Sequence, residues 1–114
     1  MSGLVLAGLL FLNSLTVIVT YVPPFGTERG VGADVLVKVS AANQPDRYCT
    51  TDQDSSCTVS NIAPSFVAIE AFFDSENDFF SYRCVDVTSV DNPQEYKILR
   101  CKKVFAWLPH IDNW

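Results

Sequence analysis

Histidine is nearly absent from this chain of 114 residues: His110 is the only one. A hydrolase triad needs a nucleophile, a base and a group to orient the base. With its sole imidazole beside Pro109 near the C-terminus, the sequence offers no such set. None of the four cysteines forms a C-x-x-C pair, so a tetrahedral zinc site lacks its usual ligands. No P-loop, dinucleotide fingerprint or G-x-S-x-G motif occurs. There is no N-x-S/T sequon, internal repeat or low-complexity tract. Basic residues are also scarce. Eight Lys and Arg against thirteen Asp and Glu give a net charge of −5. That balance disfavours nucleic acid, whose phosphates need a cationic face, and electrostatic docking on anionic lipid. No catalytic residue, metal or cofactor is expected.

Charge is missing altogether from Gly3 to Val22, GLVLAGLLFLNSLTVIVTYV. Twenty helical residues span about 30 Å, the hydrocarbon thickness of a bilayer. The Pro23-Pro24 pair would stop such a helix. Residues 1–24 are therefore read as a hydrophobic N-terminal helix, an anchor or an assembly element. A cleaved signal peptide is the competing reading, although it should carry a basic start and a small-x-small cleavage site. On the helical reading, Gly3 and Ala7 form a small-xxx-small pair that allows close helix approach. Asn13 and Ser14 would then hydrogen-bond neighbouring helices, or simply be tolerated in lipid.

The rest of the chain is a Gly-containing linker at 25–32 and one domain at 33–114. A domain of that size buries only about 60% of its unfolded surface, so crosslinks help it. Four cysteines, Cys49, Cys57, Cys84 and Cys101, suggest two disulfides formed outside the cytosol. The patterning from Val31 onward has period two: Val31, Ala33, Val35, Val37, Val39 and Ala41 share one face. Further strands are expected at Tyr48–Thr51, Cys57–Ser60, Ser65–Phe73, Phe79–Val87 and Tyr96–Trp107. The fold class predicted is an all-β sandwich preceded by one α-helix. Cys49 and Cys57 are symmetric about Gln53, and Cys84 and Cys101 are nearly so about Asn92-Pro93. Facing antiparallel residues are close enough to be bridged, so Cys49–Cys57 and Cys84–Cys101 are the expected pairs of the three possible connectivities.

The stretch from Thr50 to Ala71, TTDQDSSCTVSNIAPSFVAIEA, resembles the centre of carboxypeptidase-regulatory-like and Cna-B-like modules. The resemblance covers about 22 residues, plus the strand Val35–Val39 before them. It implies a transthyretin-like β-sandwich serving as a non-catalytic stalk, spacer or binding module. It transfers no functional residue. Ser55 and Ser65 stand where that pattern has glycines, and Val67 where it has tyrosine. An apolar N-terminal helix followed by a β domain is also similar in architecture to archaeal type IV pilin-like subunits.

Two acidic loops, Asp52/Asp54 and Asp74/Glu76/Asp78, lack the EF-hand order and are read as solvated turns. Fourteen aromatic residues imply either a dense core or a face for a partner. Trp114, in an apolar tail, is a candidate interface residue.

Two functional readings emerge. The first is a non-enzymatic structural or interaction subunit at the cell surface, assembled with copies of itself or other membrane and extracellular proteins through its helix, in its sharpest form a pilin-like filament. The second is a secreted carbohydrate-type binding module whose signal peptide is removed, its aromatic rings stacking on sugars.

Overall fold

The computed structural model describes residues 12–76 and 78–104, and they form an all-β fold. Eight strands run in chain order: β1 (Asn13–Tyr21), β2 (Arg29–Gly30), β3 (Leu36–Ala41), β4 (Arg47–Thr50), β5 (Ser56–Ile62), β6 (Ser65–Asp74), β7 (Ser81–Val90) and β8 (Gln94–Val104). They lie in the order β2-β1-β8-β7-β6-β3-β4, with β5 also paired to β1.

Residues 13–21, expected to end a helix, are instead the central strand β1. Their burial alternates strictly, with Asn13, Leu15, Val17, Val19 and Tyr21 inside. The segment's hydrophobicity concealed a period of two, in which Ser14, Thr16 and Thr20 take the outer face. Four consecutive β-branched residues, Thr16 to Val19, and a fifth at Thr20 favour the extended chain. Asn13 and Ser14 accordingly pack no helix. Asn13 Nδ2 donates to the carbonyl of Val90 at 3.2 Å, and Ser14 Oγ donates to that of Pro93 at 3.2 Å. Among the described residues no helix is long and apolar enough to cross a membrane. Gly3 and Ala7 lie outside the described residues, as does any helix over 1–11.

The sheet is curled into two layers. One is β4-β3-β6-β7, antiparallel throughout. In the other, β1 runs antiparallel to β5 and β2 and parallel to β8. The β7–β8 hairpin joins the layers along one side: its ladder runs from Ser81↔Val104 to Cys84↔Cys101, while β7 pairs with β6, and β8 with β1, over nearly their whole lengths. The disulfide Cys84–Cys101 sits at the end of that ladder, with a Cα separation of 4.0 Å.

On the other side, β4 and β5 meet across a seam. Cys49–Cys57 bridges it with a Cα separation of 5.7 Å, and Arg47 donates through Nε to Ser60 O at 3.1 Å and through Nη2 to Asn61 O. Both expected disulfides are thus present, each fastening one seam of the sandwich. Between the layers the core holds Leu15, Val17, Val37, Val39, Ile62, Val67, Ile69 and Leu99, all buried.

The near-symmetry of Cys49 and Cys57 has a backbone counterpart in the turn at Asp52–Ser56, closed by the Asp52 amide on Ser56 O and the Ser55 amide on Asp52 O, both at 2.9 Å. Ser55, standing where the resembling modules carry glycine, has φ 67°, the left-handed conformation that glycine usually supplies.

Candidate functional site

The strand directions gather Tyr21 of β1, the chain from Val22 to Val35, the 75–80 loop and the end of β8 at one pole of the sandwich. Three rings form its floor. Tyr21, Phe73 and Tyr82 lie with centroids 4.8 to 5.2 Å apart, Phe73 stacked on Tyr82 and Tyr21 edge-on to both. Such pairs contribute about 0.5–1.5 kcal/mol beyond their buried area.

Two clefts open beside this cluster, and Tyr21 lines both. The first, about 700 Å³, runs between the approach to β3 and the end of β6, with Asp34, Asp74, Ser75 and Glu76 among apolar side chains. The second, about 640 Å³, is lined by Tyr21, Pro23, Pro24, Phe25, Gly26, Arg29, Asp78, Phe80 and Lys103. Both fall in the size range of small-molecule sites, about 300–1,000 Å³.

Local chemistry shapes the second cleft. Pro23 and Pro24 fix their own φ, and the amide of Gly26 donates to Pro23 O at 3.2 Å, closing a tight turn. The turn holds Phe25 completely exposed. Opposite it, the 75–80 loop is tied at both ends: Ser75 N donates to Phe80 O at 2.9 Å and Phe79 N to Ser75 O at 3.1 Å. Asp78 braces the loop, accepting from the Phe80 amide at 3.0 Å and the Tyr82 hydroxyl at 2.7 Å. Burial pushes the Asp78 carboxyl up, but the Phe80 amide, the Tyr82 and Ser75 hydroxyls and the Lys103 charge outweigh it and hold the carboxyl below its ordinary range. The Tyr82 hydroxyl is pushed up to about 12, first by burial and then by Asp78. Phe79 is held at φ 63°, a strained conformation for a bulky residue, and is exposed. Lys103 Nζ lies 4.3 Å from the Phe80 ring centroid.

The region expected to be a linker, 25–32, therefore contains β2 and supplies Phe25 and Arg29 to a cleft. Sequence reasoning missed both. The available signal was a bare aromatic in Pro-Pro-Phe-Gly, where a tight turn leaves a ring nowhere to pack. The aromatic residues divide between the two roles foreseen: Tyr21, Phe73 and Tyr82 serve the core, while Phe25, Phe66, Phe72, Phe79, Tyr48 and Tyr96 are exposed.

The acidic loops carry turn chemistry. Asp52 accepts from the Asp54 and Ser56 amides at 2.8 and 3.2 Å, and Asp74 from the Ser81 hydroxyl. Among the described residues no His, Cys, Asp and Glu side chains are grouped to hold a metal ion. His110 and Trp114 lie outside the described residues.

No protein-family profile and no curated protein matches the chain. Among solved structures, the fold is similar to a Pseudomonas aeruginosa protein described as a candidate carbohydrate-binding protein. The likeness has a TM-score of 0.58 at 14% identity and covers 77% of this chain and 87% of that one. At that identity it bears on the fold alone, and it agrees with a β-sandwich-like architecture.

Proposed function

We propose that this chain is a non-enzymatic carbohydrate-binding module working outside the cytosol, with the Phe25–Phe80–Lys103 cleft as its binding site. The observation that carries this reading is the fully exposed Phe25 ring, held by a two-proline turn at the mouth of a cleft with charged side chains on its other walls. An apolar ring face covers the C–H face of a sugar, while a few placed polar groups take its hydroxyls. The turn lowers the ordering cost of binding because the backbone that carries the ring is already fixed. Two disulfides fit the oxidising compartment where secreted modules fold. The fold-level likeness to a candidate carbohydrate-binding protein agrees with this reading by analogy.

The test is titration calorimetry of the full chain against a panel of soluble oligosaccharides, repeated with Phe25→Ala. Loss of one stacked ring should weaken binding by roughly tenfold, the equivalent of about 1.4 kcal/mol. Circular dichroism should not change, because Phe25 contributes nothing to the core. Unaltered affinity in the variant would remove the cleft from the reading.

A second reading, an interaction subunit, draws on a different surface. On the outer face of the β3-β6-β7 layer, Leu36, Phe72, Val85 and Val87 are exposed, with Leu36 directly opposite Phe72 in register terms set by Val37↔Ala71. Exposed apolar patches of this kind mark contact surfaces. Sedimentation of the full chain in solution distinguishes the two: a monomer that binds saccharide favours the first, an assembly that binds none the second.

A further inference from the structure

The charge of the cleft is opposite to that of the molecule. Against a net charge of −5, its walls carry two cations, Arg29 and Lys103, and one carboxylate, Asp78. That carboxylate is already engaged by the Phe80 amide and the Tyr82 hydroxyl, and its attraction to Lys103 offsets one of the two positive charges and leaves the other in excess. The neighbouring Glu28 is engaged too, accepting from Thr20 Oγ1 at 2.6 Å and pairing with Arg100 Nε at 3.2 Å. Arg29 makes no ion pair among the described residues, and its guanidinium is left to the cleft. Lys103 rests on the Phe80 ring, a contact that leaves its ammonium protons free to meet an acceptor. On the far side of Tyr21 the other cleft has the reverse character, with Asp34, Asp74 and Glu76 on its walls.

We propose that the Phe25–Phe80–Lys103 cleft selects carboxylated saccharides over neutral ones, an inference that rests on the carbohydrate reading above. A guanidinium offers two parallel N–H donors that match a carboxylate, and an ammonium adds a point charge beside it. A uronate ring would place its apolar face on Phe25 and its carboxylate toward Arg29 and Lys103. The acidic cleft next door repels the same carboxylate, so the bound chain has one polarity across the pole.

The test measures binding of the full chain to a short oligogalacturonate and to the neutral oligogalactoside of the same linkage, by calorimetry at low and at physiological salt. The oligogalacturonate should bind about tenfold more tightly at low salt, and that advantage should shrink as salt rises. Arg29→Gln and Lys103→Gln, separately and together, should reduce the preference. Both side chains are exposed, and Arg29 pairs with Tyr21 through its backbone, so the fold is retained. Equal or tighter binding of the neutral chain overturns charge selection while leaving carbohydrate binding standing. Binding of neither, nor of any saccharide in the wider panel, overturns the carbohydrate reading and this inference with it.

Discussion

Gly30 shows how closely single residues are fitted at the pole of the sandwich. A Cβ added there would lie 2.1 Å from Ser55 Oγ and 2.8 Å from Ser55 Cβ. Ser55 has little freedom to withdraw. It is buried, its backbone is in the left-handed region, and its hydroxyl accepts from the Gly32 amide at 2.8 Å. Gly30→Ala should therefore destabilise the fold by about 1–3 kcal/mol, the usual cost of overpacking. Urea denaturation followed by tryptophan-independent far-ultraviolet dichroism would check it; an unchanged midpoint would mean that the β1–β2 bridge simply shifts. The same contact explains why serine serves at a position where the resembling modules use glycine. The hydroxyl closes the turn onto the β2 segment, which offsets the strain of its positive φ.

At the scale of elements, legibility followed the amount of local pattern. β3 and β6 were readable because their alternation is clean: Val35, Val37 and Val39, then Val67, Ile69 and Ala71, are all buried. The disulfides were readable because each pair is nearly symmetric about a polar turn. β1 was misread because total hydrophobicity over twenty residues outweighed its alternation, and because a strand buried between β5 and β8 needs few charges on either face. The parallel pairing of β1 with β8 joins residues about eighty positions apart, and no local pattern encodes it. The cleft was equally hidden, since Phe25, Arg29, Phe80 and Lys103 come together only through that topology.

The two crosslinks should differ in weight. Cys84–Cys101 closes a separation of 17 residues and Cys49–Cys57 one of 8, and loop entropy assigns them about 3 and about 2.5 kcal/mol. Replacing Cys84 and Cys101 by alanine should cost more than this difference implies, because Cys84 is fully buried in the core. Denaturation of the two double variants side by side checks the order. The reverse order would mean that the β4–β5 seam, held otherwise by Arg47, depends more heavily on its bridge.

For the whole molecule, the carboxylates that organise the turns make stability depend on pH at both extremes. Asp52 is held low chiefly by the Ser56 amide, and Asp86 by the Val87 amide and then by Lys97, 3.1 Å away. Asp78 is also held low, its partners outweighing burial. A carboxyl whose folded pKa is depressed contributes stability that is present above its unfolded value, about 4, and is lost as pH falls through the folded value. The alkaline limb has the opposite sign. Tyr82, raised to about 12, and Lys38, raised first by Asp46 and then by Tyr48 and Glu70, contribute stability that is present below about 10 and is lost above it. Thermal melts from pH 2 to 12 should give a plateau between about 4 and 10 with a fall on each side. Because Asp78 braces the 75–80 loop and Tyr82 is its partner, both limbs converge on the wall of the cleft. On acidification the protection factors of the loop amides, taken relative to the intrinsic exchange rate at each pH, should fall before those of β6 and β7 do. If loop and strands open together at low pH, the cleft wall is part of the cooperative core, and its geometry is as rigid as the sheet that carries it.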